Sequence, residues 1–463
     1  MAGGGLIQLV SIGAQDVYLV GNPQITFFKV TYQRHTNFAR ECIKQDMTGG
    51  SAWGKTGVCT ISRSGDLIGP MHVEILLPAL SAGLASPAKV ANSTSTSALA
   101  LQTTFNWCWV NYVGFRILQQ VTIEIGGQPI DRHYSTWYYM WFELSTPASK
   151  REGLQRMVGG YDITEVPLGL TTNALQAQTL YVPLVFWFNT HPGLALPLIA
   201  LQYHEVKLSV TVAPHTDCTV LLSEGTVFSQ VLDLEWGVAP LTPAPPGLEV
   251  DVWADYYYLD SDERKRFATQ PHEYLIKQLQ YIDQSGISSA SRSRGNISYG
   301  TLNHPVSFHV WGFRKSVTEA SPDWTNFTNS PPFLQFLGKS IVAEHNLTLN
   351  GNDRYSSKKV EYYNLVQPYN HFTAIPPTGL LTYSYALQPI EHQPSGTLNF
   401  SRIDNAFNKF TCIPDGELNG LLGPTSVLAN AAWRGTNYDA HIFSVNYNVL
   451  RIMSGMGGLA YSN

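Results

Sequence analysis

Charge is scarce in this chain of 463 residues: Asp, Glu, Lys and Arg make up 14% of it, against about 25% in typical soluble proteins. The net charge of −5 comes from 29 basic and 34 acidic residues, with no long run of either sign. The basic patch or tail that grips nucleic acid phosphates is therefore missing. Cysteine is sparse too: the five, Cys42, Cys59, Cys108, Cys218 and Cys412, are far apart, odd in number and never in a Cys-x-x-Cys pair. They read as reduced core residues of a protein made in the cytosol. No stretch approaches the roughly 20 apolar residues that a membrane span needs. The first residues, MAGGGLIQLVSIGAQDVYLVG, lack the basic start of a signal peptide, so neither the usual secretion route nor membrane spanning is expected. A surface poor in charge fits two readings: much of it is covered by other subunits, whose interface cores are depleted in charged groups, or the chain is an all-β protein with long Ser/Thr/Asn loops.

Catalytic motifs are equally few. Gly49-Gly50-Ser51-Ala52-Trp53-Gly54-Lys55-Thr56 matches G-x-x-x-x-G-K-[ST], the phosphate-cradling loop of nucleotide hydrolases. That loop works only between a strand and a helix whose N-terminus faces phosphate, whereas the next residues in this chain, GVCTISRSGDLIGP, are glycine-broken and strand-like. A loop between strands is expected instead. His204-Glu205 and His272-Glu273 begin like H-E-x-x-H, but Leu208 and Ile276 stand where the second histidine belongs, so neither has metal spacing. No G-x-S-x-G occurs and the thirteen histidines do not cluster. No catalytic, cofactor or metal residue is named; paired carboxylates for glycoside cleavage, which meet only in three dimensions, stay open.

What the chain does have is a phrase said twice. Val121–Leu144, VTIEIGGQPIDRHYSTWYYMWFEL, returns in altered form at Glu344–Val366, EHNLTLNGNDRYSSKKVEYYNLV. Each copy alternates apolar and polar residues, turns on Gly126-Gly127 or Asn350-Gly351, and reaches an Asp-Arg pair and a tyrosine doublet. Alternation followed by a dipeptide that tolerates positive φ is the signature of a β-hairpin. Gly127 and Gly351 are as far apart as Tyr138 and Tyr362. The repeat implies two similar domains in tandem, which also suits the chain length. Aromatics at 12%, with 38 glycines and 27 prolines spread throughout, favour β-sandwiches with many turns.

In chain order, residues 1–22 read as an arm that orders against something else, and residues 23–215 as the first sandwich. Its expected strands include Gln24–Tyr32, Leu180–Phe188 and Leu194–Val212, with a meander over Cys59–Leu80 and a short helix over Pro147–Val158. Residues 216–249 are the linker region, clearest in APLTPAPPG at 239–247, because consecutive prolines deny ladder donors. The second sandwich then occupies 250–463, opening with a tyrosine-heavy strand Val250–Leu259 and a short helix capped by Ser261 with an acidic first turn. Tyr274–Tyr281 and Val306–Phe313 are further strands. Residues 81–104, 145–179 and 316–332 are long connections. The Asp131-Arg132 and Asp353-Arg354 pairs read as salt links or turn anchors. Of the N-x-[ST] sequons at Asn92, Asn296, Asn326, Asn346 and Asn399, Asn92, Asn296 and Asn326 lie in polar excursions and are the glycosylation candidates. Asn346 falls in a strand, and packing rather than glycan is expected to explain the block around Asn399.

Four blocks carry a resemblance: GNPQITFFKVTY at Gly21–Tyr32, LPLIALQYHEVKL at Leu196–Leu208, DYYYLDSDERKRFATQPHEYLIKQLQ at Asp255–Gln280 and QPSGTLNFSRIDN at Gln393–Asn405. In this order, over almost the whole chain, the sequence resembles the major capsid proteins of nucleocytoplasmic large DNA viruses, with chlorovirus, marseillevirus and iridovirus members most alike. The resemblance implies an all-β double jelly roll, two tandem eight-stranded β-sandwiches with long loop insertions and a few short helices. It also implies homotrimers whose six jelly rolls make a pseudo-hexagonal capsomer, tiling an icosahedral shell over an internal membrane that the chain does not span. Partners would be the chain itself, neighbouring trimers, minor capsid and penton proteins, and a host receptor or glycan, with no direct genome contact. Synthesis, late in infection, and assembly would occur in host cytoplasm. On this analogy the three long connections decorate the outside or clasp neighbours, and residues 1–22 meet the inner shell. The alternative is a carbohydrate-binding or carbohydrate-cleaving β-sandwich that stacks sugars on Tyr256–Tyr258 or Trp137–Trp141.

Overall fold

The computed structural model describes residues 4–50, 52–80, 105–160, 177–223, 245, 247–288, 294–316, 324–329, 338–413 and 437–461. The chain divides into two compact units, Met1–Phe38 and Ala39–Asn463. The first holds a helix at Gly4–Val10 and a helical turn at Val17–Val20, followed by irregular backbone. Its large apolar side chains stand in solvent, Phe27 and Phe28 being 88% and 98% exposed. The strand expected at Gln24–Tyr32 is not formed. Its β-branched and aromatic residues suit a half-buried pleated surface, but strand preference is realised only against a ladder partner.

Among the described residues, sixteen strands of the second unit make the main paths of four sheets, besides shorter edge strands and a separate two-stranded sheet of Phe105–Trp109 and Thr219–Ser223. In the first half these are β1 Phe38–Gln45, β2 Thr56–Thr60, β3 Leu67–Leu77, β4 Leu118–Ile125, β5 Gln128–Tyr134, β6 Gln178–Pro183, β7 Val206–Val212 and β8 Glu249–Leu259. In the second they are β9 His272–Ser288, β10 Arg294–Ser298, β11 Pro305–Lys315, β12 Val342–Leu349, β13 Asn352–Asp353, β14 Leu380–Ser384, β15 Ala406–Cys412 and β16 Asn437–Met453. The first eight form sheets ordered β1-β8-β3-β6 and β2-β7-β4-β5; the second eight form β9-β16-β11-β14 and β10-β15-β12-β13. Raising every label of the first pair by eight gives the second pair. The duplication read from one hairpin therefore extends to the whole topology, two jelly rolls in series.

Each roll is built on side-chain alternation. Strand β7 reads buried, half-buried, buried along its length, so Val206, Leu208, Val210 and Val212 enter the core while Lys207, Ser209 and Thr211 lie on the other face. Its neighbours β2 and β4 pair with it antiparallel, Leu208 opposite both Cys59 and Ile123. Each fully buried aliphatic side chain contributes about 1.5–3 kcal/mol. The hairpin turns have Gly126 and Gly127 at φ 60° and 81°, and Asn350 and Gly351 at 48° and 81°, two positive values in succession, which match the twist of the flanking strands. Both tyrosine doublets leave the hairpin and lie on helical segments after it: Tyr138-Tyr139 in α1, Ser135–Ser145, and Tyr362-Tyr363 in a π-turn at Tyr362–Val366.

One boundary expectation is corrected by the strand pairing. The tyrosine-heavy strand expected to open the second sandwich closes the first: β8 lies between β1 and β3, with Val252 opposite Val73 and Tyr256 opposite Ile68. Alternation reveals which face of a strand is buried, not which sheet holds it. After α1 comes α2, Ala148–Val158, the helix expected there. Helix α3, Ser261–Thr269, follows β8 with Asp262 and Glu263 in its first turn, but its cap is Asp260, whose carboxylate accepts from the Ser261 amide, one residue before the expected cap. Leu180–Phe188 is strand only to Pro183 before a helical turn at Trp187–Thr190. Leu194–Val212 is broken by a 3-10 turn at Leu198–Ala200 ahead of β7.

Candidate assembly surfaces

Two features decide what the second unit can present to a neighbour: how tightly its rolls are joined, and what lies exposed. The join is rich in aromatic contacts. Strand β16 is buried on both faces over most of its 17 residues; Tyr438, Ala440 and Ile442 enter its own roll, while Phe443 and Val445 pack with the first-roll cluster. A strand covered on both sides reads as a nearly continuous buried run, as here. Helix α1 lies against it, with the Trp137 ring 5.7 Å from that of Phe443 and the Trp141 ring 6.0 Å from that of Phe308. Tyr134 of β5 meets Tyr281 of β9 at 4.9 Å.

Polar groups fix the register of this seam. Asp131, 6% exposed, accepts from the amides of Arg132 at 2.9 Å and of Leu279, in the other roll, at 3.0 Å, and its second oxygen lies 3.1 Å from His133 Nε2. Bonds to a charged acceptor are worth about 1.5–3 kcal/mol each. Asp131 is thus an anchor between rolls. Its counterpart Asp353 is exposed and accepts only locally, from Thr348 Oγ1 at 3.2 Å. The Asp-Arg repeat keeps its sequence but not its role, and neither pair is an internal salt link.

A second tie comes from the connection after β11. Trp324 is fully buried, donates its indole N–H to the Asn111 carbonyl at 2.9 Å, and packs 5.7 Å from Tyr139 with the Arg116 guanidinium over its ring. The Trp324 carbonyl accepts from Arg314 at 3.1 Å. The corner from β8 to α3 is pinned by buried Asp66, which accepts from the Leu259 amide and from Arg264 Nε, each at 2.8 Å. The two rolls consequently belong to one compact unit.

The glycosylation candidates separate. Asn296 is exposed on β10, an outer strand of its sheet. Asn326 is 4% exposed and its side-chain oxygen accepts from the Thr328 amide and hydroxyl at 3.0 and 2.7 Å. Enclosure leaves no space for a sugar, so Asn326 is removed from the candidates; Asn92 lies outside the described residues, as do 81–104, 161–176 and most of 316–332. Asn346 is in β12, as expected. At Asn399 the packing is done by Phe400, 3% exposed, whereas Asn399 is itself exposed and caps a turn through the Ser401 amide.

Residues weighed for chemistry are structural. The phosphate-loop lookalike joins a short strand, Met47–Thr48, to β2; Gly50 has φ 81°, and a Cβ there would stand 2.2 Å from Gly57 Cα. Close approach of two backbones, not phosphate, requires that glycine. His204 bonds the Gly457 carbonyl and His272 that of Phe267, and no group of three metal-ligating side chains occurs among the described residues. Of the sugar-stacking candidates, Tyr256 and Trp137 are buried. Cys59, Cys218 and Cys412 are buried, but Cys42 is exposed on β1, contrary to the core reading.

Comparison with known proteins agrees with this architecture. Residues 26–260 match the family described as major capsid protein N-terminus, and residues 263–458 the large eukaryotic DNA virus major capsid protein. The matches divide at the β8–α3 corner. The chain is 39% identical to the major capsid protein of Paramecium bursaria Chlorella virus 1 over 99% of this chain and 100% of that one. It is 38% identical to the major capsid protein of Pyramimonas orientalis virus over 100% of both. A quasi-atomic structure of the PBCV-1 virus capsid aligns with TM-score 0.73 and 34% identity, covering 95% of this chain and 100% of that one. The Faustovirus major capsid protein shares the fold at TM-score 0.68 and 15% identity, over 96% and 94%.

Proposed function

This chain belongs to the major capsid proteins of large eukaryotic DNA viruses, structural proteins of the virion capsid, and from that premise we propose that it builds the shell as a homotrimer. The observation that supports this most is the pair of jelly rolls with identical strand order joined in one compact unit. Three such bodies around an axis present six similar columns, and a six-fold outline lets one building block tile a surface by lateral contacts. Strands β9 and β16, 17 residues each and paired along almost their whole length, span about 55 Å at ~3.3 Å per residue.

The role is mechanical rather than enzymatic: rigidity within the body and complementarity between bodies are what it requires. The exposed apolar residues of the Met1–Phe38 unit suit an arm that is covered by minor capsid proteins beneath the shell, since isolated exposed side chains are ordinary but a long series of them marks a contact. Penton proteins, a host receptor or glycan at the outer loops, and assembly in host cytoplasm complete the proposal. Electron microscopy of purified protein tests it: particles with a near-hexagonal outline are expected, and single two-lobed particles at every concentration would refute it.

A further inference from the structure

Within one chain, the join between the rolls has two halves. The first roll supplies α1, which lays Trp137 and Trp141 over Phe443 of β16 and Phe308 of β11, and Asp131, which holds the Leu279 amide of the outer strand β9. The second roll supplies the face of β9-β16-β11-β14 that receives them. Because the two rolls share one strand order, each half occurs a second time. The first roll has a receiving face on β1-β8-β3-β6, and the second roll has a hairpin followed by a helical segment.

These second copies stand exposed. At the repeat spacing Leu365 corresponds to Trp141 and Val366 to Phe142. They are 46% and 44% exposed, and Tyr369 of the short helix α4, Gln367–His371, is 77% exposed. On the outer face of β1-β8-β3-β6, opposite the buried Val73, Ile75 and Val252, the His72 ring stacks on Trp253 and lies 6.1 Å from Tyr181. The Trp253 indole donates to Glu74, and Tyr181 is 41% exposed. Single exposed apolar side chains are ordinary, but a group of them on the counterpart of a buried join marks a contact.

Charge and hydrogen bonding agree. The first-roll face carries Glu74, Glu249, Asp251 and Asp255 against Arg40 and Lys44, while the segment before α4 carries Lys358 and Lys359 against Glu361. Opposite potentials of this kind orient two surfaces. Asp353, the counterpart of Asp131, is exposed, and β1, the counterpart of β9, is likewise an outer strand of its sheet.

Resting on the homotrimer reading, we propose that the internal join is repeated between chains: residues 362–371 and Asp353 of one copy dock on the β1-β8-β3-β6 face of a second copy. Leu365, Val366 and Tyr369 meet the His72, Trp253 and Tyr181 rings. The Asp353 carboxylate accepts from an edge amide of β1, a use that it has only in the assembly. The contact is heterologous, so first and second rolls alternate around a ring. Six alternating rolls close the ring at three chains.

The test is the native mass of the full chain and its variants by light scattering, because a heterologous contact needs both faces. Leu365→Asp on one face and Tyr181→Asp on the other, both at exposed positions, should each keep the parent's unfolding temperature. Each should weaken association at least roughly a hundredfold, the effect of an unpaired charge buried in an interface. Asp353→Ala should weaken it roughly tenfold, the scale of one charged hydrogen bond; unchanged association would strike the tie to β1. A trimeric parent with either folded Asp variant still trimeric overturns the proposal and leaves the homotrimer standing, whereas a parent that is monomeric at every concentration overturns both. If either variant does not fold, an electron microscopy reconstruction of the parent trimer decides: residues 362–371 against the neighbour's β1-β8-β3-β6 face support the proposal, and any other face there overturns it.

Discussion

Acid should loosen the second roll through three histidines that the fold holds uncharged. His441 accepts on Nε2 from Arg314, 2.9 Å away; a guanidinium can only donate, so this nitrogen must keep its lone pair. Burial, followed by the Arg314 and Arg116 charges, depresses His441 to about 2. That outweighs Asp283, half-exposed at 3.7 Å. His309, between Ser444 at 2.6 Å and Tyr385 at 3.1 Å, is depressed by burial to about 3. His345, among Trp311, Phe313 and Tyr363, is depressed by burial to about 4, with the Asn408 hydrogen bond opposing.

An unfolded histidine titrates near 6.5, so below that pH the unfolded chain binds three protons that the native chain does not. Stability is therefore fully present above pH 6.5 and is lost as pH falls toward the native values. At about 1.4 kcal/mol per pH unit and group, each histidine costs about 2 kcal/mol at pH 5, or about 6 together. That is a large part of a typical stability of about 5–15 kcal/mol. Urea unfolding followed by tryptophan fluorescence at pH 7 and pH 5 measures it, and His309→Gln should remove about a third of the difference. Equal stability at the two pH values would refute the argument.

Trp324→Ala removes a buried ring and leaves the Asn111 carbonyl without its indole donor; a loss of about 3–5 kcal/mol is expected in denaturant titration. Asp131→Ala strands the Leu279 amide and His133 at the seam, costing about 3 kcal/mol or more and separating the unfolding of the two rolls in calorimetry. Deleting residues 1–22 should leave the native mass per assembly proportionate to the shortened chain while impairing shell formation in infected cells; loss of the small assembly itself would contradict an arm that works beneath the shell.

The duplication was legible because hairpin chemistry is local: Gly126-Gly127 and Asn350-Gly351 must take positive φ, and the alternation beside them exposes its period. The α2 helix and the acidic first turn of α3 were legible for the same reason. What needed three dimensions was partnership. Strand β8 looks like the start of a new domain because it comes after a proline-rich linker, yet its buried Val250, Val252 and Ala254 complete the first core. Gln24–Tyr32 has strand composition but no ladder. Trp324 and Asn326 sit in a polar-looking connection and are buried because the first roll supplies a wall that no local window contains. Asp131 and Asp353 share a motif and differ in role, since only the first faces another sheet.

The most direct measurement is the native mass of the purified chain by light scattering across a range of concentrations. The account predicts a stable species of about 154 kDa, three times the 51.3 kDa chain. A monodisperse 51.3 kDa monomer that persists at high concentration would contradict it.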